Sequence, residues 1–275
     1  MGKFFSPGTS KNRYLGIWYN LPEEKVMYFV SRKVVWVANR NIPISDRSGI
    51  LMIDEFGKLK ISYNGGSLIA LNSTESASNT SATLLDSGNF VLKELNSDGS
   101  TRQVLRQSFH YPTETLLPGM KLGMNLKTHR VWFLTSWISE NNPAEGSFHL
   151  SIGMGIKGSG QLVIWWKSNA YWTSGVWQNG HFELLPVLSN EGYPNFSRVS
   201  NEDETYFIYF MSHNHTLSRY MLDPKGVVAE LTGLAPFGSC SYKFDPKGVW
   251  SRNCQNAGIK MNSLSQEKDL FLAKE

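Results

Sequence analysis

TLLDSGNFVLKE, residues 83–94, joins a turn signal to an alternating strand, and a similar pattern occurs earlier in the chain. Successive side chains of a strand point to opposite faces of its sheet. One face carries the apolar residues predicted to be buried, Leu84, Phe90 and Leu92, while Gly88 supplies the tight turn after Asp86. The other face carries the row predicted to meet solvent or a ligand, here called the 85–93 row: Leu85, Ser87, Asn89, Val91 and Lys93.

Short strand-like runs dominate the chain. Aromatic residues make up 13% and charged residues 18%, a mix that favours strands and turns over long helices. The runs are rich in β-branched or aromatic residues and lie between turn-forming residues: 33–40, 49–54, 57–63, 67–72, 89–94, 130–137, 146–152, 161–166, 205–211 and 216–222. The sequence therefore predicts an all-β fold. Aligning 53–61 with 85–93, at an offset of 32 residues, predicts stacked equivalent sheets.

Charge and hydropathy exclude several classes of partner. The net charge of +4 comes from scattered lysines and arginines, so no nucleic-acid surface is predicted. No run of eighteen apolar residues occurs, so no membrane span is predicted in this chain. The first residues, MGKFFSPGTSKNRY, lack the apolar stretch of a signal peptide. Taken literally, this N-terminal sequence predicts a cytosolic protein.

The 85–93 row resembles the sugar-binding strand of the bulb-type mannose-binding lectins, whose motif is Gln-x-Asp-x-Asn-x-Val-x-Tyr. By position Leu85 stands for Gln, Ser87 for Asp and Lys93 for Tyr, so only Asn89 and Val91 match. Each polar partner that is missing for a sugar hydroxyl weakens the binding free energy of the sugar by roughly 1–3 kcal/mol. The sequence therefore favours a retained structural strand over a working mannose site. At an offset of 32, the earlier copy matches the motif even less, with Ile53, Glu55, Gly57, Leu59 and Ile61.

Longer stretches resemble a more specific family, the plant S-locus glycoproteins and G-type lectin S-receptor-like serine/threonine kinases. The stretches are FFSPGTSKNRYLGIWYN (4–20), VVWVANRNIPISDRSGIL (34–51), QSFHYPTETLLPGMKLG (107–123), LTSWISENNPAEGSF (134–148) and YWTSGVWQNGHF (171–182). The resemblance implies a bulb-lectin β-prism over 1–122, lacking its opening strands, and a second β-rich S-locus glycoprotein domain over 123–245. A polar tail is predicted over 246–275, and its last part, roughly 255–275, is predicted to be a short helix or disordered. The tryptophans and prolines of these stretches are interpreted as packing and chain-turning residues.

The same resemblance implies a function and a location. Members of the family carry an extracellular recognition region and a cytoplasmic kinase, so the chain is interpreted as a truncated ectodomain in pollen, defence or other signalling. It lacks kinase motifs and is predicted not to be an enzyme. The implied partner is a secreted protein or peptide or a mannose-type glycan, with receptor dimerisation left open. The alternatives are a functional mannose-binding lectin and a non-functional truncated paralogue.

Other motifs do not predict nucleotide binding or a metal site, and they leave a disulfide and N-glycosylation open. The glycines at 153, 155 and 158 are interpreted as a hairpin rather than a nucleotide loop. His213 and His215 lack further ligands at metal spacing, and neither a metal nor a cofactor is predicted. Cys240 and Cys254 fit one disulfide or two free thiols. Sequons for N-glycosylation begin at Asn72, Asn79, Asn195 and Asn214, and their use requires secretion.

Overall fold

The computed structural model describes residues 2–19, 34–64, 68–71, 76–154, 159–185, 194–211, 216–234, 238–244 and 250–255. Within these residues the chain is almost entirely β-strand, and the predicted all-β fold is confirmed. The helical element there is one 3₁₀ turn, Ser108–His110.

The first nine strands of these residues form three separate three-stranded antiparallel sheets. The first sheet contains β1 (Gly2–Phe5), β2 (Tyr14–Trp18) and β3 (Val34–Val37). The second contains β4 (Ile50–Ile53), β5 (Leu59–Ser62) and β6 (Ile69–Ala70). The third contains β7 (Thr80–Leu84), β8 (Phe90–Leu95) and β9 (Thr101–Gln107). In each sheet the strands lie in chain order, so short turns suffice to connect most of them.

These three sheets enclose one hydrophobic cluster, here called the prism core. Leu15 comes from the first sheet, Ile61 from the second and Leu92 from the third, and all three are buried. Three sheets that turn their apolar faces toward a common interior make a β-prism, as the sequence predicts. Alternation along β8 explains Leu92, because every second residue of a strand points to the same face.

A five-residue turn recurs between paired strands. In each copy the first residue donates its N–H to the carbonyl of the fifth, and the glycine at position four donates to the carbonyl of the first, at 2.9–3.1 Å. The copies are 54–58, 85–89, 96–100 and 223–227. Their glycines, Gly57, Gly88, Gly99 and Gly226, have φ of +73°, +85°, +83° and +79°. Only glycine adopts this left-handed backbone at little cost, which is why glycine occupies that position.

The turn corrects the alignment of the two repeat copies. Gly57 and Gly88 occupy the same position of the turn and are 31 residues apart. Matching the sequence patterns gives an offset of 32 residues instead. A one-residue slip exchanges the two faces of a strand. The equivalents of the 85–93 row are therefore Asp54, Phe56, Lys58, Lys60 and Ser62, and the alignment at 32 is wrong.

Fifteen further strands follow within the described ranges and form four further sheets. In chain order they are β10 (Thr115–Leu116), β11 (Leu122–Asn125), β12 (Val131–Trp132), β13 (Leu134–Ser139), β14 (Asn142–Met154), β15 (Gly160–Trp166), β16 (Asn169–Thr173), β17 (Trp177–Gln178), β18 (His181–Phe182), β19 (Pro194–Ser200), β20 (Glu204–Met211), β21 (Thr216–Leu222), β22 (Val228–Leu234), β23 (Gly238–Phe244) and β24 (Trp250–Gln255). The larger sheets have the orders β13-β14-β15-β16, β12-β11-β20-β19 and β10-β21-β22-β23-β24.

A second hydrophobic cluster, here called the junction core, spans both predicted domains. It joins Ile17 and Trp36 of the first sheet to Leu116, Leu134 and Phe207. β10, which the sequence assigns to the first domain, pairs with β21 of the second. The two halves therefore share a buried interior, and the boundary at residue 122 stays a prediction.

Part of the region predicted as a polar tail, 246–275, is a strand. Residues 250–255 form β24, which pairs with β23. Cys240 and Cys254 are directly opposite each other in that pairing. Directly opposed residues of an antiparallel pair have Cα separations that a disulfide can bridge. The disulfide between them stays a prediction, and residues 256–275 lie outside the described part.

Side chains of the family-like stretches hold these stretches to one another. The indole Nε1 of Trp36 donates to the carbonyl of Tyr111 at 2.8 Å, which ties 34–51 to 107–123. The amide oxygen of Asn39 accepts from the backbone N–H of Leu15 at 2.8 Å, which ties 34–51 to 4–20. These contacts agree with the interpretation of the stretches as structural.

Arg40 makes the most extensive of these connections. Its guanidinium is buried and donates from Nε to the carbonyl of Pro143 at 2.8 Å. Its Nη2 donates to the carbonyls of Thr135 at 3.1 Å and Ser136 at 2.8 Å. A planar guanidinium presents several donors in fixed directions, so one side chain can satisfy three carbonyls.

Candidate functional site

The 85–93 row does not form a continuous exposed surface. Leu85 and Ser87 lie in the turn before β8 and are exposed, and Lys93 is half-buried. Asn89 is only 8% exposed and Val91 only 3%. The expectation that the whole row faces solvent or a ligand is therefore wrong for the two residues that match the mannose motif. Both faces of β8 are covered at this point, because Leu92 on the other face is buried as well.

The amide of Asn89 binds partners within the protein. Its Nδ2 donates to Oε1 of Gln107 at 2.8 Å. Its Oδ1 accepts from the hydroxyl of Ser108 and from the backbone N–H of Phe109, each at 3.2 Å. The hydroxyl of Ser108 in turn accepts from the N–H of Phe90 at 2.8 Å. Asn89 thus anchors the 3₁₀ turn to the start of β8.

These bonds limit what Asn89 can offer a sugar. Both lone pairs of the amide oxygen have donors, and one of the two amide hydrogens is already donated. A sugar hydroxyl that took their place would leave a buried N–H or amide without its partner, at a cost of about 1–3 kcal/mol. In this geometry Asn89 is a structural residue.

The network continues from Asn89 toward two arginines, of which Arg130 is exposed and Arg106 is half-buried. Gln107 Nε2 lies 2.9 Å from Nε2 of His110, and Nη1 of Arg130 lies 3.0 Å from its Nδ1. The guanidiniums of Arg106 and Arg130 lie 3.7 Å and 5.5 Å from the ring centroid of Tyr111, within cation–π range. A neutral imidazole accepts a hydrogen bond at only one ring nitrogen, and a protonated ring can accept at neither. Burial, then the charges of Arg130 and Lys121, lowers the pKa of His110.

Acid is expected to destabilise the fold through His110 and His149. Burial lowers the pKa of both from the ordinary value of 6.5. The unfolded chain binds a proton near 6.5 that the folded chain does not, so stability is lost as the pH falls below 6.5. Denaturant titrations at about pH 7.5 and about pH 5.5 should show a smaller loss in His110→Asn than in the wild type.

The exposed His129 provides the matched control, since asparagine tolerates its φ of +55°. His129→Asn should retain the wild-type dependence on pH. An unchanged dependence in His110→Asn would show that His110 does not cause the loss.

The equivalent positions in the second sheet also serve the fold. Oδ1 of Asp54 accepts the N–H groups of Phe56 and Lys58, at 3.0 Å and 2.8 Å, inside the recurrent turn. Its other carboxylate oxygen forms an ion pair with Lys60. The hydrogen bond from Lys60 and those from the backbone lower the pKa of Asp54. This second copy does not reproduce the mannose motif either.

Two of the four sequons can be placed, and both of their asparagines are exposed. These are Asn79 and Asn195, and Nδ2 of Asn79 lies 3.3 Å from the carbonyls of Leu95 and Asn96. Other candidates lie outside the described residues: Asn72, Asn214, His213, His215 and the glycines at 155 and 158. Over the described ranges, no group of three or more His, Cys, Asp or Glu side chains is placed to hold a metal ion.

Helices that could cross a bilayer are absent from the same part of the chain, because none there is both long and apolar enough.

Comparison with known proteins supports this fold. The D-mannose binding lectin family matches residues 33–138. The G-type lectin S-receptor-like serine/threonine-protein kinase CES101 of Arabidopsis thaliana is 45% identical over 87% of this chain and 27% of its own length. The kinase B120 of the same group and organism is 37% identical over 83% of this chain and 26% of its own length. The S-locus-specific glycoprotein S6 of Brassica oleracea is 32% identical over 90% of this chain and 53% of its own length.

The family match over residues 33–138 covers most of the three-sheet prism and places this part of the chain in the lectin class. The chain belongs to the family of the G-type lectin S-receptor-like kinases and S-locus glycoproteins. It spans about a quarter of the length of the kinase relatives and about half of that of the S-locus glycoprotein.

Proposed function

We propose that this chain is the extracellular ligand-recognition region of a plant receptor-like protein of this family, and that its 85–93 row is a structural strand. The relationship to the lectin-containing kinases and the S-locus glycoproteins supports the first part. The hydrogen bonds of Asn89 to Gln107, Ser108 and Phe109 support the second part, the structural role of the row. The ligand is a secreted protein or peptide rather than mannose, and kinase activity belongs to other parts of the kinase relatives.

Secretion would make the exposed sequons available to glycosyltransferases. Asn79 lies before β7 and Asn195 lies on β19, and both side chains are exposed. A glycan at either position would extend into solvent without displacing a buried group. We include N-glycosylation at these two residues in the proposal.

Replacing Asn89 with alanine is expected to reduce stability rather than sugar affinity. The change removes the acceptor of the Phe109 N–H and the donor to Gln107, a loss of about 2–3 kcal/mol in unfolding free energy. We expect the folded wild type to pass unretained through immobilised mannose. Denaturant unfolding and mannose chromatography of the two proteins measure both effects.

Ser87→Ala is the matched control on the same row. Ser87 is exposed, and its one hydrogen bond, from the N–H of Asn89, is long at 3.3 Å. Its substitution should change stability by less than about 0.5 kcal/mol. Retention of folded wild type on mannose, abolished in a folded Asn89→Ala sample, would instead identify a working mannose lectin.

A further inference from the structure

A cavity of about 290 Å³ lies between the first sheet and the second half of the chain. Phe5 and Val34 contribute from the first sheet, Trp137 from β13, and Met221 from β21. Glu114, the residue just before β10, also lines it. Its volume is at the lower end of the range for small-molecule sites, which suits a single side chain of a ligand.

Two polar atoms of this cavity are buried without a hydrogen-bond partner. Glu114 is only 4% exposed, and its Oε2 has no partner. The indole Nε1 of Trp137 is also buried and unpaired. An unsatisfied buried polar group is costly, and folded proteins leave few of them without a reason. Two residues that line one cavity thus carry an unpaired acceptor and an unpaired donor, which a ligand with complementary groups could satisfy.

The charge of the cavity is acidic. Glu114, Glu140 and Asp223 line it, and its described lining contains no lysine, arginine or histidine. Burial lowers the pKa of Arg40 and Arg219, and the negative charge of Glu114 opposes that shift at both. The guanidinium of Arg40 is already bound to backbone carbonyls. Much of the remaining lining is apolar, so a cation on an aliphatic stem complements it.

We propose that this junction cavity binds a lysine or arginine side chain of a polypeptide partner. The cationic group lies against the carboxylate of Glu114, and the aliphatic stem packs on Val34 and Met221. The N–H of Trp137 donates to a backbone carbonyl of the partner. The site is separate from the 85–93 row, so this inference goes beyond the proposed function and does not depend on whether that row binds mannose.

Binding of defined pentapeptides to the 275-residue chain tests the proposal. The probes are acetylated, amidated Gly-Gly-Lys-Gly-Gly, its arginine analogue, and its norleucine analogue, which keeps the stem and lacks the charge. Calorimetric titration should show binding of the two basic peptides and at least about tenfold weaker binding of the norleucine peptide. Glu114→Gln should weaken binding of the lysine peptide about 10- to 100-fold.

Two further variants keep the test valid if Glu114→Gln fails to fold. Trp137→Phe keeps an aromatic ring and removes the N–H, and it should weaken binding about threefold to tenfold. Glu140→Gln changes an exposed carboxylate of the lining, and it should weaken binding about two- to threefold. Glu202→Gln changes an exposed carboxylate outside the lining and should leave affinity unchanged.

Three results would overturn the proposal. The first is equal affinity for the lysine and norleucine peptides. The second is no binding of either basic peptide to the folded wild type. The third is mannose, rather than a basic peptide, bound against Glu114 in soaked crystals. Retention on mannose that depends on Asn89 would contradict the proposed function and leave this inference standing, so the two failures are distinguishable.

Discussion

Arg40→Met is expected to reduce the free energy of unfolding by about 3–5 kcal/mol. Methionine fills much of the same volume but donates no hydrogen bond. The carbonyls of Thr135, Ser136 and Pro143 lose their donors, and the buried carboxylate of Glu114 loses a neighbouring positive charge. Guanidinium chloride unfolding followed by tryptophan fluorescence measures the loss.

Arg47→Met is the matched control, because Arg47 is exposed and lies only seven residues further along the chain. Its substitution should change the unfolding free energy by less than about 0.5 kcal/mol. A loss below about 1 kcal/mol in Arg40→Met would mean that other donors readily satisfy these carbonyls.

Gly123→Ala should cost about 3 kcal/mol or more, because the new methyl group has no space. Gly123 has a φ of +156°, and a Cβ there would lie 2.1 Å from the carbonyl oxygen of Thr205 and 2.5 Å from Cα of Tyr206. Both contacts are with the backbone of β20, so the β11–β20 pairing would have to separate. The midpoint of denaturant unfolding reports this loss.

Gly99→Ala separates steric crowding from backbone conformation. Gly99 also has a positive φ, +83°, but no atom lies within 4 Å of the position that the methyl group of alanine would take. Only the left-handed backbone then opposes alanine, at about 1–2 kcal/mol. Equal losses of stability in the two variants would show that the contact with β20 does not add to the cost of alanine at position 123.

Local patterns in the sequence predict strands such as β5, β8, β15 and β20, but no predicted run covers β2, β9, β19 or β22. Alternation identifies β8 and places Leu92 in the interior, because the period of a strand is fixed by its backbone. The sequence also reveals the repeat, but matching the sequence patterns misaligns its two copies by one residue. Gly57 and Gly88 fix the alignment, since a glycine required at a left-handed position is a firmer marker than a match of apolar residues.

The candidate site is harder to predict because its decisive contacts are distant in sequence. Asn89 matches the lectin motif, yet its partners Gln107 and Ser108 lie 18 and 19 residues further on. A motif records residue types and their spacing, whereas the availability of a side chain depends on its neighbours in the fold. Glu114 gives no signal either, because nothing in its local sequence distinguishes a buried carboxylate from an exposed one.

The junction core has a consequence for chimaeras between relatives. Trp36, Leu116 and Phe207 all belong to it, although Leu116 and Phe207 lie far along the chain from Trp36. A crossover anywhere between residues 37 and 115 would therefore combine halves of an interior from different parents. Hybrid receptors assembled from separately chosen lectin segments would need matched residues on both faces of that interior before any change in recognition could be interpreted.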